Sequence, residues 1–420
     1  MDETRTIAVI GTGISGLTTA WLLSQKYEVH LYEADAEPGG HTNTETVEAG
    51  GREWPVNTGF IVYNDWTYPS FIRLMERLGV ASEVSSMSFS VQNPGSGLEY
   101  NGTSLNSLFA QRRNLINPRF LQMIREILRF NRITRDGLAQ GTIPPRQTLA
   151  EFLQEHRFSG YFRDNYIVPM GAAIWSASET AMEDFPVQFF LNFFNNHGML
   201  SVDDRPTWRV ISGGSETYIR AMLPAFGERL YLNTPVTAVE RDDSGVTLHS
   251  HRGAERYDQV VIATHSDQAL AMLSDPSDEE AAILGAIPYQ YNDVVLHTDA
   301  SVLPENRRAW AAWNYHIPET RDEPVSVTYN MNILQNFHDA PETFCVTLNR
   351  TGAIDPKRII KQFHYAHPAF TLAGIQAQQR YERIGGQRRT HYCGAYWFNG
   401  FHEDGVRSAL RVTRAFGVDW

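Results

Sequence analysis

Lysine is nearly missing from this chain: of 36 basic side chains only Lys26, Lys357 and Lys361 carry an amine, and the rest are arginine. The long middle of the sequence therefore has no lysine to offer to any chemistry. Cysteine is almost as scarce. Cys345 and Cys393 cannot make a disulfide framework, and without a CxxC pair or a Cys/His cluster they exclude a structural zinc site. A reducing, cytoplasmic setting is expected. No run approaches 18 consecutive apolar residues, which excludes a membrane-spanning helix while leaving surface attachment open. The first five residues read as neither a basic n-region nor a cleavable signal. A net charge of −12 argues against general nucleic-acid binding. There is no GxSxG elbow, and the 14 histidines show no HExxH or other metal spacing, so no metal is expected. His364 and His367, three apart, read as polar surface.

What is present begins at once. The β-branched run Ile7–Ile10 feeds into Gly11, Gly13 and Gly16, and a helix-forming stretch from Leu17 to Leu23 follows. Strand, tight turn and helix in this order form a dinucleotide fingerprint. Gly11 permits the turn, Gly13 lets backbone approach a pyrophosphate, and Gly16 lets the helix pack on the strand. The helix N-terminus offers free N–H groups and partial positive charge to phosphates. A second strand, Glu28–Tyr32, ends at Glu33, close to the ~20-residue spacing of an acid that binds a ribose 2′-OH and disfavours NADP.

Just beyond Glu33 and Ala34 stands another glycine pair, Gly39-Gly40, followed by His41-Thr-Asn-Thr. A second close backbone approach suits a large flat cofactor, and here the sequence resembles the FAD-binding amine-oxidase and phytoene-desaturase superfamily, although those proteins usually carry arginine where this chain has His41. The segments Trp54–Asn64, Pro169–Ser176 and Tyr392–Gly405 resemble more closely the bacterial predicted NAD/FAD-binding flavoproteins associated with cyclopropane-fatty-acyl-phospholipid synthases. The resemblance runs from end to end. It implies an α/β fold in which a Rossmann-type FAD-binding domain (1–65, 205–285 and 386–420) is interleaved with an α+β substrate domain (66–204 and 286–385). It implies non-covalent FAD held at Gly11, Gly13, Ile14, Ser15, Gly16, Glu33, Ala34, Gly39, Gly40, His41, Thr58, Gly59, Phe60, Val236, Ala263, Glu403, Asp404, Gly405 and Val406. Val236 is placed on a strand touching the adenine side, and Ala263 at the end of the last central strand. Asp404 is expected to cap a helix from Val406 to about Phe416, with the N–H groups of Gly405 and Val406 aimed at the flavin N1/C2=O edge.

Residues 66–204 are expected to be mostly helical. Between Leu108 and Arg132 apolar residues recur at three- and four-residue spacing with arginines between them, a pattern that fits either a core-packing helix or contact with an anionic membrane. From Ile287 to about Tyr381 strands predominate. The resembled oxidases place a lysine near flavin N5, where this chain reads Tyr289-Gln-Tyr-Asn-Asp-Val-Val-Leu, so an ordinary amine oxidase is disfavoured. Tyr396 and Trp397 only partly echo the aromatic pair that sandwiches an amine. With Ile174, Trp175 and Tyr315 they are the candidate lining of an apolar substrate pocket, and Tyr396 and His402 are the candidate catalytic groups. The family association points to a fatty-acyl or phospholipid substrate that is dehydrogenated or desaturated, with peripheral contact at the inner membrane. A redox-neutral fatty-acid isomerase, or a flavin-binding partner of a fatty-acyl methyltransferase, are the alternatives.

Overall fold

The computed structural model describes residues 6–201 and 204–420, so the reading of residues 1–5 lies outside the described residues. The first strand, Thr6–Ile10, sits in the middle of a five-stranded parallel sheet. Glu28–Tyr32 and then Leu230–Tyr231 lie on one side, Gln259–Ile262 and Thr390–Tyr392 on the other. A strand covered on both faces needs apolar residues throughout, and Ile7 to Ile10 are all buried. Alternation sends Ile7 and Val9 toward the helices Ile14–Leu23 and His402–Ala415. Ala8 and Ile10 point the other way, against a three-stranded antiparallel sheet (Ala238–Asp242, Gly245–Ser250, Gly253–Tyr257). Ile7, Val9 and Ile10 each contribute roughly 1.5–3 kcal/mol by burial, and the Ala8 methyl less. Strand order reverses at Thr6–Ile10, and in open parallel sheets a ligand crevice forms just beyond the carboxyl ends at such a point.

A second sheet has seven strands in the order Ile359–Pro368, Tyr289–His297, Cys345–Leu348, Ser326–Asn330, Trp313–His316, Phe89–Asn93, Leu98–Asn101. All pairs are antiparallel except Trp313–His316 with Phe89–Asn93. Val91, Tyr315 and Val327 face a helical layer that includes Pro118–Gln140, Val168–Trp175 and Val187–Asn196. Val294, Leu296 and Val346 face Trp54, Val56 and Phe344 on the other side.

Two expectations change here. Residues 66–204 are mostly helical as expected, but Ser82–Val84, Phe89–Asn93 and Leu98–Asn101 are strands within them. Their signal was the turn Asn93-Pro-Gly-Ser-Gly97 between two short alternating runs. The stretch from Leu108 is not one helix: Asn117 accepts hydrogen bonds from the N–H groups of Arg119 and Phe120, and Pro118 starts a separate helix that ends at Gln140. Val236 precedes its strand, which begins at Ala238. Among the described residues no helix is long and apolar enough to cross a membrane.

Candidate active site

The glycine turn, the Glu33 strand end and the Gly39-Gly40 pair converge at the crevice. Glu33 Oε2 accepts hydrogen bonds from the Thr12 N–H (3.0 Å) and from the Thr12 hydroxyl, while its other oxygen accepts from the Asp35 N–H (3.0 Å). Thr12 Oγ1 in turn accepts the Gly39 N–H at 3.0 Å. The ribose acid is thus also the brace of the phosphate loop. Beside it, the Asn233 and Thr234 N–H groups bond the Asp35 and Glu33 carbonyls, bringing buried Val236 to the same rim as exposed Ala34.

Sterics separate the roles of the glycines. A Cβ on Gly16 would lie 1.9 Å from the Gly11 carbonyl oxygen and 3.1 Å from the Ala263 methyl, so Gly16 and small Ala263 serve the helix-on-strand contact. A Cβ on Gly13 would meet nothing within 4 Å, because Gly13 borders open space in front of the helix N-terminus formed by Ile14, Ser15 and Gly16. Gly39, at φ +134°, occupies a conformation that L side chains rarely adopt. Gly59 is pressed against the His41 carbonyl, which a Cβ would approach to 2.0 Å, and the Phe60 N–H bonds the same carbonyl at 2.8 Å. Thr58 Oγ1 lies 3.0 Å from the Tyr365 hydroxyl.

At the far end of the crevice the helix His402–Ala415 starts four residues before its expected position. Asp404 therefore lies inside the first turn, accepting the N–H groups of Asn399 (3.2 Å) and Phe401 (3.0 Å). The Gly405 N–H is spent on the Phe401 carbonyl (3.0 Å), and Val406 follows within the helix. The N–H groups left free by helix geometry are those of His402, Glu403 and Asp404, one turn earlier than expected. Gly405 instead makes room for the first helix, where its Cβ would meet Ile14 Cγ2 at 2.6 Å. Glu403 accepts the N–H groups of Ser70 (3.2 Å) and Phe71 (2.8 Å), joining this turn to the helix Pro69–Leu78. Burial raises the Asp404 carboxyl to about 7.

Three other imidazoles gather around His41. Its ring lies 5.2 Å from His367, 5.9 Å from His265 and 5.1 Å from the Tyr365 ring, centroid to centroid, and His402 adds to its electrostatic environment. Burial is the first cause that holds His41 well below the ordinary histidine range, ahead of its neighbours His367, His265 and His402. Burial also lowers His265, puts His367 at about 4 and puts His402 at about 3. At neutral pH the cluster is uncharged. His402 stacks on Phe60 (3.6 Å, 11°), and its Nε2 lies 2.9 Å from Thr42 Oγ1. His265 stacks on Tyr289 (4.4 Å, 17°), whose hydroxyl accepts the Ser266 N–H. The reading of His367 as surface is corrected. Residues three apart on the strand Ile359–Pro368 point to opposite faces, so His364 is exposed and paired with Asp293 while His367 turns inward to Asn292. His265 was legible only as the residue two beyond Ala263 at a strand end.

The five pocket candidates do not form one wall. Ile174, Trp175 and Tyr315 belong to the helical core, where Trp175 packs against Phe185, Phe190 and Phe193, and the Tyr315 hydroxyl donates to Glu179 at 3.3 Å. Tyr396 and Trp397 lie in the core behind the parallel sheet. Their rings touch at 5.0 Å, and Trp397 abuts Tyr381, which leaves no gap for a substrate between them. The Tyr396 hydroxyl is sealed without a partner, and burial pushes its pKa well above the usual phenol value. A different aromatic wall stands before the first turn of the C-terminal helix: Phe189 on Phe370, and Phe193 on Phe401, each stacked at 5.0 Å. A cavity of about 360 Å³ opens nearby between Trp66, Tyr68, His197, Phe401 and Asp404.

The flavin containing amine oxidoreductase family matches residues 14–341. The chain belongs to that family. A Mycobacterium tuberculosis protein carrying the name flavin-containing monoamine oxidase AofH is 24% identical over 365 residues, covering 80% of this chain and 74% of that one. Cyclohexylamine oxidase from Brevibacterium oxydans IH-35A has the same fold, with TM-score 0.69, 17% identity and 98% of each chain covered. So does a CLA-producing fatty acid isomerase from P. acnes, with TM-score 0.70, 18% identity and 99% of each chain covered. As a member of the flavin containing amine oxidoreductases the protein uses FAD and is a flavin-dependent oxidoreductase by family. Its own residues fit that group. The open space at Gly13 faces the helix N-terminus that would meet phosphate, and Nε2 of His41, on the turn that follows Gly39-Gly40, is a buried polar atom without a protein partner. Among the described residues no cluster of His, Cys, Asp and Glu could hold a metal ion.

Proposed function

We propose that the protein is an FAD-dependent oxidoreductase that dehydrogenates or desaturates an apolar, fatty-acyl substrate, a hydride leaving one C–H bond for the flavin and the adjacent hydrogen leaving as a proton to solvent. The observation that carries this reading is the chemistry around the flavin end. It has an aromatic wall of Phe189, Phe193, Phe370 and Phe401, four neutral imidazoles, and two carboxyls already engaged by backbone N–H groups. An ammonium would find no free counter-ion there, whereas a hydrocarbon chain gains about 25 cal/mol per Å² buried. The three lysines are all exposed: Lys26 bonds the Phe416 carbonyl and Lys361 pairs with Glu45. None is near Tyr289, whose hydroxyl lies within hydrogen-bond distance of Ser266.

Bound FAD supplies the two-electron acceptor. The protein residues supply position and exclude water. His402, held by Thr42 and stacked on Phe60, is too weak a base at about 3 to take a proton at neutral pH, so its part is to orient. Tyr396 moves no proton, because its hydroxyl is sealed in the core behind the parallel sheet and burial holds its phenol well above the usual value. A functional link to a cyclopropane-fatty-acyl-phospholipid synthase belongs to the same proposal. Anaerobic mixing with unsaturated and saturated acyl phospholipids, beside primary and secondary amines, is the test. Bleaching of the flavin by an acyl lipid and not by amines is expected. Rapid bleaching by a simple amine overturns the reading. An isomerised lipid without lasting bleaching would indicate redox-neutral chemistry, and no change with any lipid would leave a flavin-binding partner of a fatty-acyl methyltransferase.

A further inference from the structure

Half of the eight large apolar side chains exposed on the described surface fall within 24 residues: Leu105 (77% exposed), Leu115 (53%), Ile116 (85%) and Leu128 (55%). The same region is basic on an acidic protein. From residue 105 to 135 there are seven arginines against one acid, Glu126, and that acid is buried and engaged by the N–H and hydroxyl of Ser159. On the helix Pro118–Gln140, Arg125, Leu128, Arg132 and Arg135 share the outward face, while Phe120, Met123, Phe130 and Thr134 are buried on the other. Arg112 and Arg113 flank the Leu115-Ile116 tip and bond only backbone carbonyls and amide side chains. Among the described residues none of Arg112, Arg113, Arg119, Arg125, Arg132 or Arg135 pairs with a carboxylate.

A core-packing helix accounts for the buried face but not for this one. Free arginines around protruding Leu and Ile side chains match an anionic bilayer, where headgroups take the guanidinium groups and the apolar tips enter the acyl boundary. We propose that residues 105–135 are a docking surface for an anionic lipid bilayer. The charge pattern selects a bilayer over a second copy of this chain, because a contact between two such patches would set the same carboxylate-free arginines against one another. The inference does not depend on the proposed reaction, since vesicle binding is read without turnover.

The test is sedimentation of the FAD-loaded protein with vesicles of phosphatidylcholine containing a quarter phosphatidylglycerol, and with phosphatidylcholine alone, at low and high salt. Binding to the anionic vesicles only, lost at high salt, is expected. Each arginine near the surface is worth roughly a factor of five, so R119Q/R125Q/R132Q should weaken partitioning on the order of a hundredfold. Ile116→Ser should weaken it several-fold, and Val84→Ser, another exposed apolar site, should not change it. The melting temperature of each variant should match the parent, which separates lost docking from lost folding. Equal binding to neutral and anionic vesicles, no binding to either, or a triple variant that binds like the parent would overturn the proposal.

Discussion

Alanine at Gly13 and alanine at Gly16 should separate cofactor binding from folding. The Gly16 Cβ would come within 1.9 Å of the Gly11 carbonyl, which is backbone and cannot rotate away. Relief needs more than 1 Å of movement between the helix Ile14–Leu23 and the strand Thr6–Ile10, and overpacking of this kind costs about 1–3 kcal/mol or more. Apo-protein carrying Gly16→Ala should therefore melt about 1–3 °C lower, or more where the cost exceeds that range. Gly13 has φ −61° and ψ 174°, allowed for any residue, and its Cβ would meet no protein atom within 4 Å. As the residue before the helix it loses ~1 kcal/mol at most on becoming alanine. The added methyl does enter the space that the pyrophosphate needs. Losing two charge-assisted N–H contacts there costs about 3–6 kcal/mol, or on the order of 10²–10⁴ in affinity. Melting of the apo-proteins, with FAD titrated by fluorescence quenching, reads both effects. FAD binding by Gly13→Ala equal to the parent's, or a Gly16→Ala apo-protein that melts where the parent does, would overturn this division of roles.

Removal of the Glu33 brace should lower FAD occupancy and loosen the loop together. Glu33→Ala leaves Thr12 and Asp35 without their acceptor at a cost of about 1–3 kcal/mol, whereas Glu33→Gln keeps an oxygen and should retain more of both, as absorbance ratios and melting will show. FAD should leave the protein quantitatively on acid precipitation. Both thiols are fully buried, and Cys393 is pushed up to about 12 by burial, so no thiolate forms; yellow pellet would refute this. Acid should destabilise the fold from pH 6.5 downward. Buried His197, His297 and His391 sit at about 4, so over that window the unfolded chain binds more protons and each group removes ~1.4 kcal/mol per pH unit. Asp404, raised to about 7, and Glu179 and Glu403, also raised by burial, act in the opposite direction but are outnumbered by the histidines that burial lowers, so a melting temperature that rises between pH 6.5 and 5 would contradict this balance.

The parallel sheet and its glycine turn were legible because their signals are local. A buried strand needs Ile7–Ile10, and a close helix needs Gly16. The histidine cluster was not legible, because His41, His265, His367 and His402 meet only when three separate strand and helix ends converge. The facing of His367 depends on strand alternation that a spacing of three residues does not reveal. The amide register at the C-terminal helix was misjudged by one turn for a definite reason: Asp404 reads as a cap, yet its carboxylate reaches back to the Phe401 N–H from the third helical position, as capping-box acids do. The strands at residues 89–101 carried a usable turn signal that the surrounding helical pattern obscured.

The three motifs that announce the dinucleotide site are not independent contributors to it. Gly39 donates to Thr12, and Thr12 donates through both its N–H and its hydroxyl to Glu33, so the second glycine pair is tied to the ribose acid through the first glycine turn. A change at Glu33 therefore reaches Gly39 and, through it, the segment that presents His41 to the flavin end. Gly13 stands outside this chain of hydrogen bonds, and a Cβ added there would meet no protein atom within 4 Å. Loss of cofactor from Glu33→Ala must therefore be compared with loss from Gly13→Ala before it is assigned to a missing ribose contact, because only the latter leaves the Thr12–Glu33–Gly39 frame intact.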